Sequence, residues 1–240
     1  MSISKVFHLL LWLVLPGIAC AQMNEPSPVS TQAGLSFSLR QFGWDVAVHA
    51  KPSARSVGYQ LSGGLLRDPR EVLMINERLP GSKPFRLGKI NHGMWLRPGI
   101  TRVFEMGQRR SRSDLGVAFV SELHATLAYH WPVYVYMYRP APIFDLYELK
   151  RYEPEIDDSY MIGGMASPLA SWNEGGWIPG MGASLSVRAE WGNYRNMSNS
   201  LAIGASFDAL ASKLPLMQNP TQNRSVFPAL FVNFAFALDL

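Results

Sequence analysis

Five ionisable residues on two alternating stretches of the chain are the side chains best placed for acid–base chemistry. They are Glu122, His124 and His130 in the first stretch and Arg188 and Glu190 in the second. Successive side chains of an extended strand point to opposite faces, so the members of each set share one face. A carboxylate beside an imidazole can move a proton in general acid–base catalysis. The same grouping is typical of a buried network of ion pairs and hydrogen bonds, which we expect here.

An enzyme that hydrolyses or transfers acyl chains needs a serine within hydrogen-bond reach of a histidine. Ser121 adjoins Glu122, but no histidine stands at a clear spacing from this serine. His124 can meet a serine only from a neighbouring strand, which the sequence does not place. We therefore predict no catalytic residues, and Glu122 and His124 remain the acid–base pair of the enzyme alternative.

Metal and phosphate chemistry have little support in the sequence. His124 and His130 lie roughly 20 Å apart on an extended strand, which is too far for one ion. The glycine pairs lack the Lys-Ser/Thr signature of a phosphate-binding loop. Acidic residues that fit either a solvated turn or a calcium site are Glu153, Glu155, Asp157 and Asp158. The sequence predicts no cofactor and no metal.

The elements that carry these residues are strands with one apolar and one polar face. Residues 115–131, 181–191 and 199–209 alternate in this way, and 230–240 combines an apolar face with a mixed one. The first of them is far longer than the usual soluble strand of about 5 or 6 residues, and it suits a tilted strand that crosses a membrane. The aromatic residues that gather near strand ends, as in an interfacial girdle, are Trp131, Tyr134, Tyr136, Tyr138, Trp191 and Tyr194.

Four further strands complete the predicted set. They are 37–49 with a bulge near Gln41, 57–67, 84–97 and 100–106, with Pro98-Gly99 as a tight turn between the last two. The fold class predicted is all-β, an antiparallel transmembrane β-barrel of about eight strands. So narrow a barrel is normally filled by side chains. A soluble periplasmic sandwich is the alternative, because its strands alternate too.

The first residues predict export. Residues 1–21 have the features of a signal peptide, with a basic start, an apolar run and cleavage near Ala21, and lipidation of Cys20 is the alternative. Residues 22–34 would form a periplasmic tail and 35–240 the outer-membrane barrel. The net charge of +4 is scattered, which favours contact with anionic lipid head groups over nucleic acid.

The long segment 139–178 departs most from a minimal barrel. Its prolines and glycines predict a loop without regular structure, although Phe144 to Tyr152 could form two helical turns. On an up-and-down strand count this loop lies outside the cell, where long loops often bind partners. The residues predicted to bind a partner are Tyr147, Glu148, Lys150, Arg151 and Tyr152.

Several segments resemble a group of uncharacterised outer-membrane β-barrel proteins common in Bacteroidetes. The matching segments are Phe85 to Asn91, Tyr147 to Pro154, Met161 to Gly164, Pro179 to Gly182, Leu210 to Met217 and Phe227 to Phe236. The resemblance implies an outer-membrane location and a barrel fold, and it brings no catalytic residues with it.

The function that we expect is a non-enzymatic one, as a structural element or as a subunit of an envelope assembly. The expected partners are outer-membrane lipid and lipopolysaccharide and an envelope protein complex, with no nucleic acid. One alternative is an envelope enzyme acting on lipid or lipopolysaccharide. The other is a narrow solute channel lined by Glu122, Arg188 and Glu190.

Overall fold

The computed structural model describes residues 32–51, 57–79, 81–107, 115–140, 146–155, 157–194, 197–219 and 223–239. The predicted signal peptide and its cleavage position near Ala21 lie outside these residues. In the part of the chain that is described, no helix has the length and apolar character needed to cross a membrane.

Strands dominate the described chain. In chain order they are β1 (Gln32–Arg40), β2 (Gly43–Lys51), β3 (Val57–Leu66), β4 (Val72–Met74), β5 (Phe85–Leu87), β6 (Asn91–Gly107), β7 (Gly116–Pro132), β8 (Tyr134–Arg139), β9 (Leu146–Arg151), β10 (Ile162–Met165), β11 (Gly176–Tyr194), β12 (Met197–Leu210) and β13 (Val226–Asp239).

A closed barrel is formed by β1, β2, β3, β6, β7, β11, β12 and β13, each antiparallel to its neighbours. The first and last strands close it, with a register that runs from Gln32 opposite Asp239 to Arg40 opposite Phe231. The prediction of an antiparallel barrel of about eight strands is confirmed.

Two of the predicted divisions between strands are wrong, and their errors offset each other in the count. The predicted strand 84–97 also begins too early, because Phe85–Leu87 is β5 of a separate hairpin and the wall strand begins at Asn91. The stretch 37–49 is not one bulged strand, because β1 and β2 are separate and Gln41-Phe42 turns between them. Gly43, which follows this turn, has a φ of 131°, a conformation that favours glycine. The first strand also begins at Gln32, inside the segment predicted as a tail.

Pro98-Gly99 is not a turn, because β6 runs through it. Pro98 has no N–H to donate to the ladder. The pairing of β6 with β7 accordingly passes from Leu96↔Leu127 to Gly99↔His124 without partners between, in an unchanged register. On its other side the strand stays paired through Leu61↔Pro98. The proline therefore interrupts one ladder locally and does not end the strand.

The barrel wall has an apolar outside and a largely polar inside. Large apolar side chains that point outwards and are exposed occur on every wall strand: Leu35, Phe37, Val46, Val48, Tyr59, Leu61, Ile100, Leu123, Leu185, Val187, Ile203, Phe207, Leu230 and Phe234. Arg102 is a charged exception, and its guanidinium lies 5.0 Å from the ring centroid of Phe104. The inward side chains at mid-height are serines, acids, arginines and a histidine.

The two ends of the barrel differ in their connections. One end, called the loop end here, carries the long connections 67–90, 133–175 and 211–225 and the two-residue turn Gln41-Phe42. The other end, called the turn end, is where the strands connected through 52–56, 108–115 and 195–196 meet. The start of β1 at Gln32 and the end of β13 at Asp239 lie there too. Short turns on the side of the termini and long loops opposite are typical of outer-membrane barrels.

The long connections fold into a small structure of their own, called the cap here and formed by residues 67–90 and 133–175. It contains the hairpin β4–β5, the sheet β10-β8-β9 and two 3-10 helices, Ser159–Met161 and Pro168–Glu174. Its core residues are Phe85, Val133, Val135, Tyr152 and Ile162. The prediction of a structureless loop with helical turns at 144–152 is therefore wrong, since most of that stretch is strand β9 and the insertion buries apolar groups.

Candidate functional site

A network of ion pairs crosses the middle of the lumen, centred on Arg97 of β6. Its Nε and Nη2 donate to Oδ1 and Oδ2 of Asp208, each at 3.0 Å. Its Nη1 donates to Oδ2 of Asp45 at 3.1 Å. Arg97 is completely buried, so this bidentate pair is held away from water and its geometry is fixed.

His124 of β7 extends the network towards Glu122. Its Nε2 lies 2.9 Å from Asp208 Oδ1, and its Nδ1 lies 3.3 Å from Glu122 Oε1. The second contact has an ion-pair distance without hydrogen-bond alignment. Thr126 Oγ1 donates to Asp208 Oδ1 at 2.8 Å, and Ser184 Oγ donates to Glu122 Oε2 at 2.9 Å. An imidazolium, which carries a proton on both nitrogens, matches two carboxylate neighbours best.

Asp45 of β2 anchors the other end of the network. Its carboxylate accepts hydrogen bonds from Arg40 Nε and Trp95 Nε1. Arg40 Nη1 also donates to Ser206 Oγ at 2.8 Å. The guanidinium of Arg97 lies 3.3 Å from the centroid of the Trp95 ring, a cation–π contact that is strongest where water is excluded.

The charges of the network nearly cancel. Three carboxylates, on Asp45, Glu122 and Asp208, face two guanidiniums and the His124 imidazole. Buried charges are costly unless they are paired and hydrogen-bonded. The arrangement meets this requirement and locks five wall strands to one another through the lumen.

Two glycines leave room for these contacts. A Cβ on Gly182 would lie 2.4 Å from His124 Nε2 and 2.8 Å from Asp208 Oδ1. A Cβ on Gly99 would lie 3.0 Å from the Cβ of His124 and 3.1 Å from Glu122 Oε1. The close approach of backbone and side chains thus explains small residues on the polar face of the strands.

Towards the loop end the lumen is filled by apolar side chains. Leu214, Leu216 and Met217 belong to the connection 211–225 and are buried. They form one cluster with inward residues of the wall, namely Phe42, Leu66, Trp95, Ala128, Ile178, Leu210, Phe227 and Ala229. We call this cluster the plug. Among the residues that the structure describes, the plug and the ion-pair network together close the lumen.

The turn end of the lumen contains a small polar cavity of about 90 Å³. Serines of β1, β11 and β12 line it, together with Arg188 and Glu190 and with Arg40 and Glu122 of the central network. Arg188 Nη2 lies 2.6 Å from Glu190 Oε1, and both side chains are partly exposed. They therefore pair with each other rather than with the central network.

The predicted lumen residues are thus divided into three places. Glu122 and His124 meet in the central network, and Arg188 and Glu190 form their own pair at the turn end. His130 faces Gly176 near the loop end of β7. Sequence reasoning did not single out the residues that organise the network, which are Arg40, Asp45, Trp95, Arg97, Thr126, Ser184 and Asp208. Each of them is a polar or aromatic residue at a position of a wall strand whose side chain points into the lumen, and this alternation is the signal that the sequence offers for them.

No group of three or more His, Cys, Asp or Glu residues suited to a metal ion occurs among the residues that the structure covers. Both ring nitrogens of His124 face carboxylates. The hydroxyls of Ser184 and Thr126 in this part of the network donate to Glu122 and Asp208. The contacts of the His124 ring nitrogens are therefore with carboxylates and not with the serine hydroxyl that the enzyme alternative requires.

The predicted partner-binding residues lie on and beside β9. Tyr147 is exposed, Glu148 pairs with Arg139 at 2.7 Å and Lys150 pairs with Asp157 at 2.6 Å. Arg151 is exposed as well. Tyr152 differs, because it is buried in the core of the cap and its hydroxyl accepts a hydrogen bond from Gly88 N at 3.3 Å. Its role is to hold the cap together.

An aromatic cluster fixes the cap to the outer side of the wall. Trp172, on the 3-10 helix Pro168–Glu174, has ring centroids 5.0 Å from Tyr129 and 4.7 Å from Trp131. Trp131 Nε1 donates to the Pro168 carbonyl at 2.7 Å, and the Tyr129 hydroxyl donates to the Trp172 carbonyl. Of these three residues only Trp131 belongs to the predicted aromatic girdle, and the cap buries it. The prediction is wrong for Tyr134, Tyr136 and Tyr138, because they lie on strand β8 of the cap and not at the end of a wall strand.

No family model matches this chain, and no curated protein matches it. The resemblance to a Bacteroidetes group therefore stays a prediction. Three solved barrels resemble the chain in outline. They are the Neisserial surface protein A (8% identity, 90% of this chain and 100% of that one, TM-score 0.40), a major outer membrane protein from Thermus thermophilus (12%, 89% and 100%, 0.46) and the N-terminal β-barrel domain of Pseudomonas aeruginosa OprF (8%, 88% and 97%, 0.34). At such identities and scores these likenesses support no argument about function.

Proposed function

We propose that this chain is a non-enzymatic barrel of the bacterial outer membrane that acts as a structural element or as a subunit of an envelope assembly. One observation supports the proposal above the others. The wall exposes apolar side chains on its outside while the lumen is filled with buried charges and an apolar plug.

The outer surface supports the membrane location. Exposed leucine, valine and phenylalanine side chains surround the barrel, as on Leu35, Ile203 and Leu230, whose exposed fractions are 57%, 62% and 73%. Monomeric soluble proteins rarely expose so large a continuous apolar surface. A closed barrel also satisfies its backbone hydrogen bonds without a free edge, which lipid requires. The predicted signal peptide agrees with export.

The filled lumen favours a structural role over a channel. A conducting path would have to pass the Arg97–Asp208 pair and the plug around Leu214, all of which are buried. The residues named for the channel alternative, Glu122, Arg188 and Glu190, all line the small cavity of about 90 Å³ at the turn end. The Arg97–Asp208 pair and the plug lie outside the lining of this cavity, and both are buried.

Conductance in a planar lipid bilayer tests this choice. We expect the inserted protein to leave the baseline current unchanged, because the network and the plug block the lumen. Insertion is checked separately by the gel mobility of unboiled samples, since folded barrels resist detergent until they are heated. Discrete current steps from protein that is shown to be inserted would refute the structural role and establish the channel.

The cap is the part that we propose to contact an envelope partner. Strand β9 is an edge of the sheet β10-β8-β9, and it carries the exposed side chains Tyr147 and Leu149. An edge strand offers backbone groups to which a partner strand can pair. The proposed contact is therefore a strand of an envelope protein laid along β9.

Photo-crosslinking tests the cap contact. A crosslinking amino acid at Tyr147 should give a protein adduct in living cells, and one at the buried Tyr152 should not. The absence of any adduct from position 147, together with an unchanged phenotype when β9 is replaced by a Gly-Ser segment, would overturn the assembly role and leave the barrel itself untouched.

A further inference from the structure

A cleft of about 570 Å³ lies at the loop end between the barrel wall and the cap. Its lower side is formed by three outward residues of neighbouring strands, Leu39 of β1, Trp44 of β2 and Leu65 of β3. They stand in one row, because Leu39 pairs with Trp44 and Trp44 with Leu65 in the sheet register. Roughly half of each side chain is exposed. This row therefore continues the apolar outer wall into the cleft.

The upper side of the cleft is basic. Arg67, Arg86 and Lys89 line it, and no acidic residue is among the described residues that do so. Glu71 lies behind them, with Oε1 2.6 Å from Lys89 Nζ and Oε2 3.1 Å from Arg86 Nε. Burial lowers the pKa of Lys89. The positive charges of Arg86 and Arg67 lower this pKa further, whereas Glu71 raises it. Lys89 and Arg86 thus share one carboxylate, and Arg67 adds a third positive charge.

The two accessible cations differ from the buried one in their role. Arg67 is exposed and Arg86 is partly exposed, with 27% of its side chain accessible. Lys89 is almost fully buried against Glu71. Guanidinium groups bind phosphate oxygens with paired hydrogen bonds. The cleft thus has an apolar row on one side and an excess of positive charge on the other. A phosphorylated lipid has the matching arrangement, because its apolar acyl chains are joined to a head group that carries negative phosphate.

We propose that this cleft binds one phosphorylated lipid of the surrounding membrane. Arg67 and Arg86 bind the head-group phosphate, Lys89 adds its positive charge from behind, and an acyl chain lies along Leu39, Trp44 and Leu65. The inference rests on the proposed membrane location and adds a specific lipid contact to it. In an outer membrane with the loop end outwards, the matching lipid is a phosphorylated glycolipid of the outer leaflet.

Binding is measured on the full-length mature barrel in octyl glucoside micelles, which contain no phosphate. The probes are bisphosphorylated lipid A, its dephosphorylated form and inorganic phosphate, and the readout is the bound fraction by native mass spectrometry. The test variant is R67Q/R86Q. The control R139Q/R151Q removes two arginines from the same end of the protein that do not line the cleft.

We expect lipid A to bind the wild type and the control equally, and the test variant about a hundredfold more weakly, with about tenfold lost for each arginine, which equals about 1.4 kcal/mol each. Dephosphorylated lipid should bind as weakly as the variant. Equal binding of lipid A to all three proteins would overturn the site. So would equal binding of both lipid forms, which indicates apolar adsorption, or binding of inorganic phosphate as tight as that of lipid A.

Unboiled gel mobility of each protein is recorded first. A protein that is folded and inserted but does not bind lipid A contradicts the cleft alone. A protein that never gives the folded, heat-sensitive band contradicts the membrane barrel itself. The two failures are therefore distinguishable.

Discussion

The central ion-pair network predicts a specific energetic result for the substitution D208N. Asp208 holds Arg97 through two hydrogen bonds of 3.0 Å, His124 through one of 2.9 Å and Thr126 through one of 2.8 Å. Asparagine keeps the size but removes the charge, so Arg97 and His124 lose their shared counter-ion inside the barrel. Removing one partner of a buried pair typically costs about 3–5 kcal/mol. We expect the free energy of unfolding to fall by that amount.

The assay is equilibrium unfolding by urea in detergent micelles, followed by tryptophan fluorescence and by the fraction of folded band on gels. E190Q is the matched control. Its pair with Arg188 is short at 2.6 Å but partly exposed, and such pairs contribute about 0–1 kcal/mol. E190Q should therefore stay close to the wild type.

The double variant R97M/D208N, measured together with the single variants R97M and D208N, tests whether the pair acts as one unit. Removing both partners, in R97M/D208N, leaves Arg40 with Asp45 and His124 with Glu122. The double variant should be more stable than the two single costs predict, with an interaction energy of about 1–3 kcal/mol. A D208N barrel within about 1 kcal/mol of the wild type, or single costs that simply add, would show that the network does not behave as one buried unit.

Three further predictions concern the packing, the cap and the orientation. The substitution G182A should cost about 1–3 kcal/mol, because its Cβ would lie 2.4 Å from His124 Nε2, whereas G63A, whose nearest contact would be 3.7 Å, should be neutral; both are measured by the same unfolding assay. The substitution W172A should make residues 133–175 cleavable by trypsin without changing the folded band of the barrel, because Trp172 packs on Tyr129 and Trp131; equal resistance of wild type and variant would contradict this anchor. A cysteine at Glu155 in the cap should react with a membrane-impermeant maleimide on intact cells, and one at Glu105 near the turn end should react only after permeabilisation; the reverse pattern would invert the orientation.

The sequence predicted the architecture well because alternation along a strand reports directly which face meets lipid and which meets the lumen. It did not predict the strand boundaries, since the short turn Gln41-Phe42 resembles a bulge and Pro98 resembles a strand end. Whether a proline interrupts a ladder or ends a strand depends on neighbouring strands, and a single sequence does not show them. The number of strands was therefore correct although two of the divisions between strands were not.

The site was predicted only in part for a related reason. Glu122 and His124 lie on one strand, so their shared face follows from spacing alone. Arg97 and Asp208 are separated by 111 positions in the chain, and their contact depends on the register of strands across the lumen. The cap was not predicted from the sequence, because its sheet consists of short strands with little alternation of apolar and polar residues, as in Leu146–Arg151.

The measurement that tests the central claim most directly is the electrophoretic mobility of the protein from fractionated cells, with and without boiling. We predict recovery in the outer-membrane fraction and a band that migrates faster when unboiled than when boiled, because the closed barrel stays folded in detergent until heated. Recovery in the soluble periplasm with one mobility under both conditions would contradict the membrane barrel.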